Sequence, residues 1–544
     1  MNDEQRNTAP LYEMLELYRE KGNTSYHVPG HKNGRAYSDA YSAGFLSEVM
    51  RSDVTEITGT DDLHHPEGVI KEAQELAADC FGAEESFFMV GGSTAGNLAL
   101  ILTVCSEPGT TLILQRNVHK SVIHGLMLGG VKAVFLEPLL DSDSGIAVAP
   151  AVESVKAALA AHPDAAGVLI TMPNYYGMGT DLAPLAEACH SCGVPLLVDE
   201  AHGAHYGLHP ALPAGALLCG ADGVVQSTHK MLPALTMGAM LHIQGPRIDR
   251  ALLRQRLAMV QSSSPSYPVM ASLDLARRLV HSQGPEAFTA GLAAVDTLRR
   301  GLAELPRYGL LQPAPPLQHS GGGRAASAIA ITPPGEAAYV TQDPFKAVIY
   351  DATGVLDGFE LQRRLEAWGC VPEMSDERHV VLAFSLGSRE EDATRLLDAL
   401  REIDTEIESE LTGSTISAVS SLAFDQSSTV EELISNKKSD KVNISTWNNY
   451  KNNIISAPIP FSLKPVAAAE KESIPLKDSV GRIAAEMVTP YPPGIPLVYP
   501  GEMITSGICS RLTALSRVGA KFQAAADPSL GSIVVYNIRK GGEV

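Results

Sequence analysis

The chain has 544 residues, 45% of them hydrophobic and 19% charged, an ordinary globular balance that excludes disordered, collagen-like and coiled-coil chains. Its length corresponds to about three structural units at ~150 residues each. With 62 acidic and 42 basic residues the formal net charge is −20, and an acidic field repels phosphate backbones, so nucleic acid is not an expected partner.

The opening Met1-Asn-Asp-Glu-Gln-Arg-Asn7 is polar and lacks the basic-then-apolar layout of a signal peptide. The uncharged run 86–106 contains Gly91, Gly92, Ser93, Thr94 and Asn97, which are costly in hydrocarbon, so no membrane span is expected. Seven cysteines, an odd and sparse number, fit a reduced cytoplasmic protein.

In chain order, residues 1–50 read as an N-terminal arm. From about 82 to 242, short apolar runs alternate with helix-like stretches. Strands are expected at 86–90, 111–115, 133–137, 167–172, 195–199 and 223–227, with helices at 97–105, 152–161 and 182–192. This βαβα rhythm predicts an α/β protein with a mostly parallel sheet covered on both faces and ligand groups at the carboxyl ends of its strands. Helices at 247–279 and 286–304 complete a large domain over 51–310. The Pro- and Gly-dense 312–323 opens a smaller α/β domain at 311–410, with strands at 328–331, 346–350 and 380–385 and helices at 358–368 and from Glu390. Residues 411–457 are rich in Ser, Thr, Asn and Lys and read as a solvated linker or insertion with a short helix at 430–434. A C-terminal domain at 458–544 includes the rigid, turn-rich Tyr491-Pro-Pro-Gly-Ile-Pro496.

Lys230 follows an expected strand and is preceded by Ser227, Thr228 and His229. A lone lysine there is a solvated surface residue; beside groups that donate to phosphate, a partly desolvated amine can form a Schiff base. Asp199 closes an apolar strand, either as a helix N-cap or as the partner of a protonated pyridine nitrogen. The two positions are one βαβ step apart and can reach the same rim. Gly91-Gly-Ser-Thr-Ala-Gly-Asn97 opens an apolar helix, where glycines and free amides, with Ser93 and Thr94, suit either a phosphate or a purely structural turn. His119 is a loop histidine or lies against an aromatic cofactor; His202 is a core histidine or bonds a phenolic oxygen. Phosphate cradle, ring-nitrogen carboxylate, phenolate partner and reactive lysine together suggest pyridoxal 5'-phosphate. Cys189 and Cys192 lack a second cysteine pair and read as buried structural thiols. The histidine pairs 27/31 and 202/205 lack matching carboxylates, so no metal is expected.

The stretches His27-Val-Pro-Gly-His-Lys-Asn-Gly34, 55–68, 91–97, 116–121, 199–205, 227–230 and 491–496 carry a resemblance to the bacterial fold-type-I ornithine/lysine/arginine decarboxylase family, its shorter members in particular. The resemblance covers about 8–410 and resumes after 458. It implies a fold-type-I, transferase-like large domain with smaller C-terminal α/β domains. Lys230 would be the Schiff-base lysine and Asp199 the pyridinium partner, with Ala201 under the ring and His119 stacked over it. Ser93, Thr94, Ser227 and His229 would hold the phosphate, and His202 would lie near the phenolic oxygen. Residues 27–32 and 61–65 would sit at the active-site entrance across a homodimer interface, the dimer itself open to further assembly. Asp62, His65 and Glu373 are the candidates for the substrate's distal end. The implied reaction is decarboxylation of a basic L-amino acid, arginine to agmatine ahead of lysine to cadaverine and ornithine to putrescine. Lys230 or His119 would return a proton to Cα. An aminotransferase or desulfurase would use the same cofactor residues, and an inactive regulatory paralogue is the alternative outside catalysis. Polyamine biosynthesis and acid resistance both stay open as roles.

Overall fold

The computed structural model describes residues 1–37, 44, 46–313, 338–422, 455–490, 494–517 and 519–537. The expected strand at 328–331, the expected helix at 430–434 and Tyr491 to Pro493 lie outside them. Eight strands form the main sheet: β1 (Glu85–Met89), β2 (Thr111–Gln115), β3 (Lys132–Leu136), β4 (Val168–Thr171), β5 (Leu196–Asp199), β6 (Gly223–Gln226), β7 (Ala239–Ile243) and β8 (Ile459–Pro460). Their order is β1-β7-β6-β5-β4-β2-β3-β8. The run from β6 through β5, β4 and β2 to β3 is parallel, whereas β7 is antiparallel to both its neighbours and β8 is antiparallel to β3.

The six expected strands form within a residue of their predicted bounds. Alternate residues explain why. Leu112, Leu114, Phe135, Leu169 and Leu197 enter one apolar core, while Ile113, Val134, Val168, Ile170 and Val198 enter the other. A strand buried on both faces reads as a continuous apolar run, and period two divides it between two helical layers. Strands β7 and β8 are additions to the expectation. The second comes from the C-terminal part of the chain, where Ser456 Oγ accepts from Phe135 N at 2.9 Å and backbone groups at the open edge of β3 find partners.

The expected helix 247–279 divides into Arg250–Val260 and Tyr267–Gln283. Its break falls at Gln261-Ser-Ser-Ser-Pro265, and Ser266 caps the second helix by accepting from Val269 N. That second helix docks the N-terminal arm. Buried Arg277 pairs with Asp274 at 2.5 Å and donates to the carbonyls of Arg6 and Thr8, while Asp274 accepts from Leu11 N. Leu11 and Leu15 then fill a core with Ile70 and Tyr267.

A four-stranded antiparallel sheet (Met374–Ser375, His379–Ala383, Lys346–Asp351, Tyr308–Leu310) follows, with the helices Thr289–Leu302, Gly358–Ala367 and Glu390–Leu422. The last helix runs beyond residue 410, so the stretch expected as a linker begins as helix and ends on the edge of the main sheet. Residues 476–535 carry a separate apolar core that includes Leu476, Val498, Leu512 and Phe522. Among the described residues, no helix is long and apolar enough to cross a membrane.

Candidate active site

The carboxyl ends of β2, β4, β5 and β6 open on one pocket. Ser93, His119, Asp199, Ala201, His202 and Lys230 line it, joined by Gln115, Asn117, Thr171, Asn174, Tyr175 and Ile495. The helix Gly92–Val104 approaches it directly after β1. Gly92 adopts φ +71 with its N–H on Met237 O, a backbone that side chains rarely adopt. At Gly96 a Cβ would stand 2.8 Å from Val225 Cγ1, so only glycine lets this helix settle on β6. That close approach brings Asn97 to Asp199.

Asp199 is buried at the end of β5. Its Oδ2 accepts from Asn97 Nδ2 at 2.9 Å and its Oδ1 from Ala201 N at 3.2 Å. Burial raises its pKa from the ordinary aspartate value despite these donors and the charge of Lys230. Asn97 Nδ2 also donates to Ser121 Oγ at 3.0 Å, and that hydroxyl lies 2.8 Å from His119 Nδ1. His119 is thereby tied to the same network. Burial, with the charges of Lys230 and Lys120, pushes its pKa down to about 3, so its ring is neutral.

Lys230 Nζ lies 3.0 Å from His202 Nε2 and 5.4 Å from the centre of the Tyr175 ring, which packs on His202 at 4.2 Å. Burial lowers the pKa of the Lys230 ammonium, the attraction of Asp199 opposes this, and the like charge of Lys346 adds to it. His202 is held well below its ordinary value by burial and by Lys230. The side-chain partner of His202 Nε2 is thus the amine of Lys230. Ser227 Oγ donates to Ser93 Oγ at 2.7 Å, joining the end of β6 to the start of the Gly92–Val104 helix. No side chain caps that helix, and Thr94 beside Ser93 is exposed. His229 is half-buried, with Nδ1 2.9 Å from Gly238 O.

The expected substrate residues do not gather here. Asp62 is exposed, its Oδ1 accepting from His64 N at 2.8 Å, and His65 is exposed beside Glu67; neither lines the pocket of this chain. Neighbouring Asp61 accepts from the N–H groups of Asp62, Glu67, Gly68 and Ile70, which makes it a structural clasp at the start of the helix Val69–Phe81. Glu373 is exposed outside the lining. Burial lowers both Lys230 and Lys346, and the charge of Glu373 opposes that shift in each. Of the two thiols expected to be buried, Cys189 is, but Cys192 is exposed.

Asn97 and Tyr175, like the lining residues Gln115, Asn117, Thr171, Asn174 and Ile495, are site residues to which the sequence assigns no role. For Asn97 a signal existed, since an amide inside an otherwise apolar helix has to find partners when buried. Tyr175 sits in the loop after β4, where no periodicity marks it.

Behind Asp199 a buried polar chain crosses the sheet. Ser86 Oγ lies 2.7 Å from His242 Nδ1, His242 Nε2 3.1 Å from Gln226 Oε1, and Gln226 Nε2 donates to Glu200 Oε2 at 2.7 Å. Burial pushes Glu200 up to about 8, against the lowering bonds from Gln226 and Ala216 N. A carboxyl raised in the folded chain keeps a proton that the unfolded chain has already lost. The contribution of Glu200 to folding stability, fully present below 4.5, is therefore lost as pH rises towards about 8. Glu200→Gln removes that titration and is expected to flatten the loss, with the variant's denaturation midpoint above wild type at pH 8. Urea unfolding at several pH values reads this, and parallel profiles for the two proteins would refute it.

Pyridoxal 5'-phosphate fits these residues. Asp199 is a buried acid with incomplete compensation, suited to a cationic ring nitrogen, and the Ser93–Ser227 pair at an uncapped helix start suits a phosphate. His202 Nδ1 and Thr171 Oγ1, on two pocket-lining residues, are buried without a protein partner.

The model of the Orn/Lys/Arg decarboxylase major domain matches residues 9–392, and that of the Orn/Lys/Arg decarboxylase C-terminal domain matches residues 461–523. The chain is similar to the protein YaaO of Bacillus subtilis (strain 168), with 38% identity over 97% of this chain and 98% of that one. It is 31% identical to an arginine decarboxylase of the same organism, over 98% of each chain. Among solved structures, the E. coli constitutive lysine decarboxylase superposes with a TM-score of 0.74 at 23% identity, covering 97% of this chain and 82% of that one. The chain belongs to the Orn/Lys/Arg decarboxylase family and is a pyridoxal 5'-phosphate-dependent amino-acid decarboxylase.

Proposed function

We propose that the protein decarboxylates L-arginine to agmatine in preference to lysine or ornithine, with Lys230, Asp199 and the Ser93–Ser227 pair as its working groups. The observation that carries this reading is the convergence of those groups on one pocket. Pyridoxal 5'-phosphate, when bound, supplies an aldehyde that condenses with amines and a ring that accepts the electron pair released with CO₂. Lys230 Nζ, whose charged form burial disfavours, is the amine for covalent attachment. Asp199 keeps a positive charge favourable at the ring nitrogen, and Asn97 and Ala201 N hold its carboxylate in place. His119, neutral and fixed by Ser121, offers a flat face rather than an acid, so we assign proton return at Cα to Lys230 Nζ. Thr94 and His229 complete the phosphate site, Ala201 the ring floor, and His202 the contact to the phenolic oxygen.

Arginine is supported by the Bacillus subtilis relative and by Glu373, an exposed carboxylate whose field reaches Lys230. A carboxylate fork matches a guanidinium with two parallel bonds. We place Asp62 and His65 at the entrance of the neighbouring copy's pocket in a homodimer, a reading supported by exposed Tyr26, Val28, Leu235 and Met237. Seven unpaired cysteines support work in the reducing cytoplasm, in polyamine supply. Residues 51–310, 311–410 and 458–544 then act as cofactor-binding, small and C-terminal units, the last supported by an apolar core of its own and the first two packed together through a core they share.

The test incubates the cofactor-loaded protein separately with arginine, lysine and ornithine and identifies the amine, with particle mass measured by light scattering. Agmatine as the main product of a dimer or larger assembly is expected. Cadaverine or putrescine in excess would overturn the preference, keto-acid formation without CO₂ the reaction, and a monomer the assembly.

A further inference from the structure

One wall of the pocket comes from the far end of the chain. Ile495 faces the cavity beside Ser93, His119 and Lys230, although it belongs to the part of the chain whose core is separate from the main sheet. It is held on both sides. Before it, Gly494 O accepts from Lys120 N at 3.1 Å. After it, the carbonyls of Pro496 and Leu497 accept from Arg116 Nη1 at 3.2 Å and Nη2 at 3.0 Å. Arg116 directly follows β2, three residues before His119. Its Nε and Nη2 form a fork on Glu502, at 3.1 and 2.8 Å. Its guanidinium carbon lies 4.0 Å from the centre of the Tyr499 ring, and Tyr499 Oη donates back to Arg116 O at 2.8 Å. Planar charge, fork and stacking together are a function of arginine that lysine does not reproduce.

We propose that Arg116 is a positioning residue that clamps 494–502 over the pocket, and that Ile495 is a specificity-determining wall packing on the methylene stem of the substrate's side chain. The second half rests on the proposed basic amino-acid substrate; the clamp does not. An apolar wall recognises the stem that arginine and lysine share and keeps water from it, leaving the charged end to a carboxylate. Each buried methylene contributes roughly 0.8 kcal/mol, so losing contact with one or two corresponds to about a tenfold loss in apparent affinity.

Two measurements separate the parts. Hydrogen exchange of the cofactor-loaded protein, without substrate, reads the clamp. Arg116→Lys should speed exchange at Leu497 to Glu502 about tenfold, Glu502→Gln should do so less, and Ile495→Ala should leave it near wild type. Unchanged exchange in both clamp variants would overturn the clamp. Steady-state kinetics read the wall. Ile495→Ala and Arg116→Lys should each raise KM about tenfold with kcat within about threefold, and the double variant should be no worse than Ile495→Ala. Fully additive losses, or an unchanged KM for Ile495→Ala, would overturn the wall. If the wild-type protein turns over no basic amino acid, the substrate reading fails, and the wall with it, while the exchange experiment still decides the clamp.

Discussion

Lys230→Ala is expected to lower CO₂ release by at least about 10³-fold, because we assign both the covalent anchoring and the proton return to this one amine. The fold should not suffer. Burial already disfavours the charged form of this side chain, and its amine meets His202 Nε2 and the face of Tyr175. Removing it relieves desolvation and the like charge of Lys230 on His202, at the loss of its attraction to Asp199, which Asn97 and Ala201 N still hold by hydrogen bonds. The variant should therefore unfold at or near the wild-type temperature, show a wild-type circular dichroism spectrum, and lose the visible absorbance of covalently held cofactor. It should still hold cofactor weakly through the phosphate site, releasing it on gel filtration. Wild-type turnover in a cofactor-loaded Lys230→Ala preparation would end the assignment.

Asp199→Asn should cost about 10²- to 10³-fold in kcat, the scale of about 3–4 kcal/mol for losing one preorganised electrostatic group in a buried site. The substitution keeps size and shape, and its hydrogen bonds can be rebuilt. Asn97 can turn its amide and the Ser121 hydroxyl can reverse, so the new side chain still finds a donor or an acceptor. What disappears is the negative charge. The cofactor should remain attached through Lys230 with a shifted visible band, KM should change little, and the loss should fall on kcat. A variant with normal kcat would show that the carboxylate is only a structural cap.

Much of this was legible beforehand because parallel strands buried on both faces announce themselves as apolar runs. In those runs the last residues matter most. Asp199 and Lys230 stood out because a carboxylate or an amine at such a strand end is costly without a partner. Asn97 carries a signal of need but not of partner: an amide in an apolar helix has to be satisfied, and only the approach that Gly96 allows to β6 makes Asp199 the group that accepts from it. Asp61 to His65 read as a motif of the active-site entrance across a dimer; within one chain Asp61 clasps the start of a helix, and the entrance role of Asp62 and His65 belongs to the dimer proposed above. A motif names residues that recur together; it does not say whether they touch ligand or backbone.

The amino-acid order alone determined the alternating α/β plan, the family and the residue types able to hold a phosphate, a ring nitrogen and a reactive aldehyde, because these depend on local periodicity and on chemistry at strand ends. Only the tertiary structure decided that Ile495 shares a pocket with Lys230, that Arg116 grips Glu502 from 386 positions away, and that residues near 459 complete the main sheet. Such pairings depend on shape and packing between distant segments. No short window of sequence encodes them, since the free energy that selects them arises only when both surfaces are already formed.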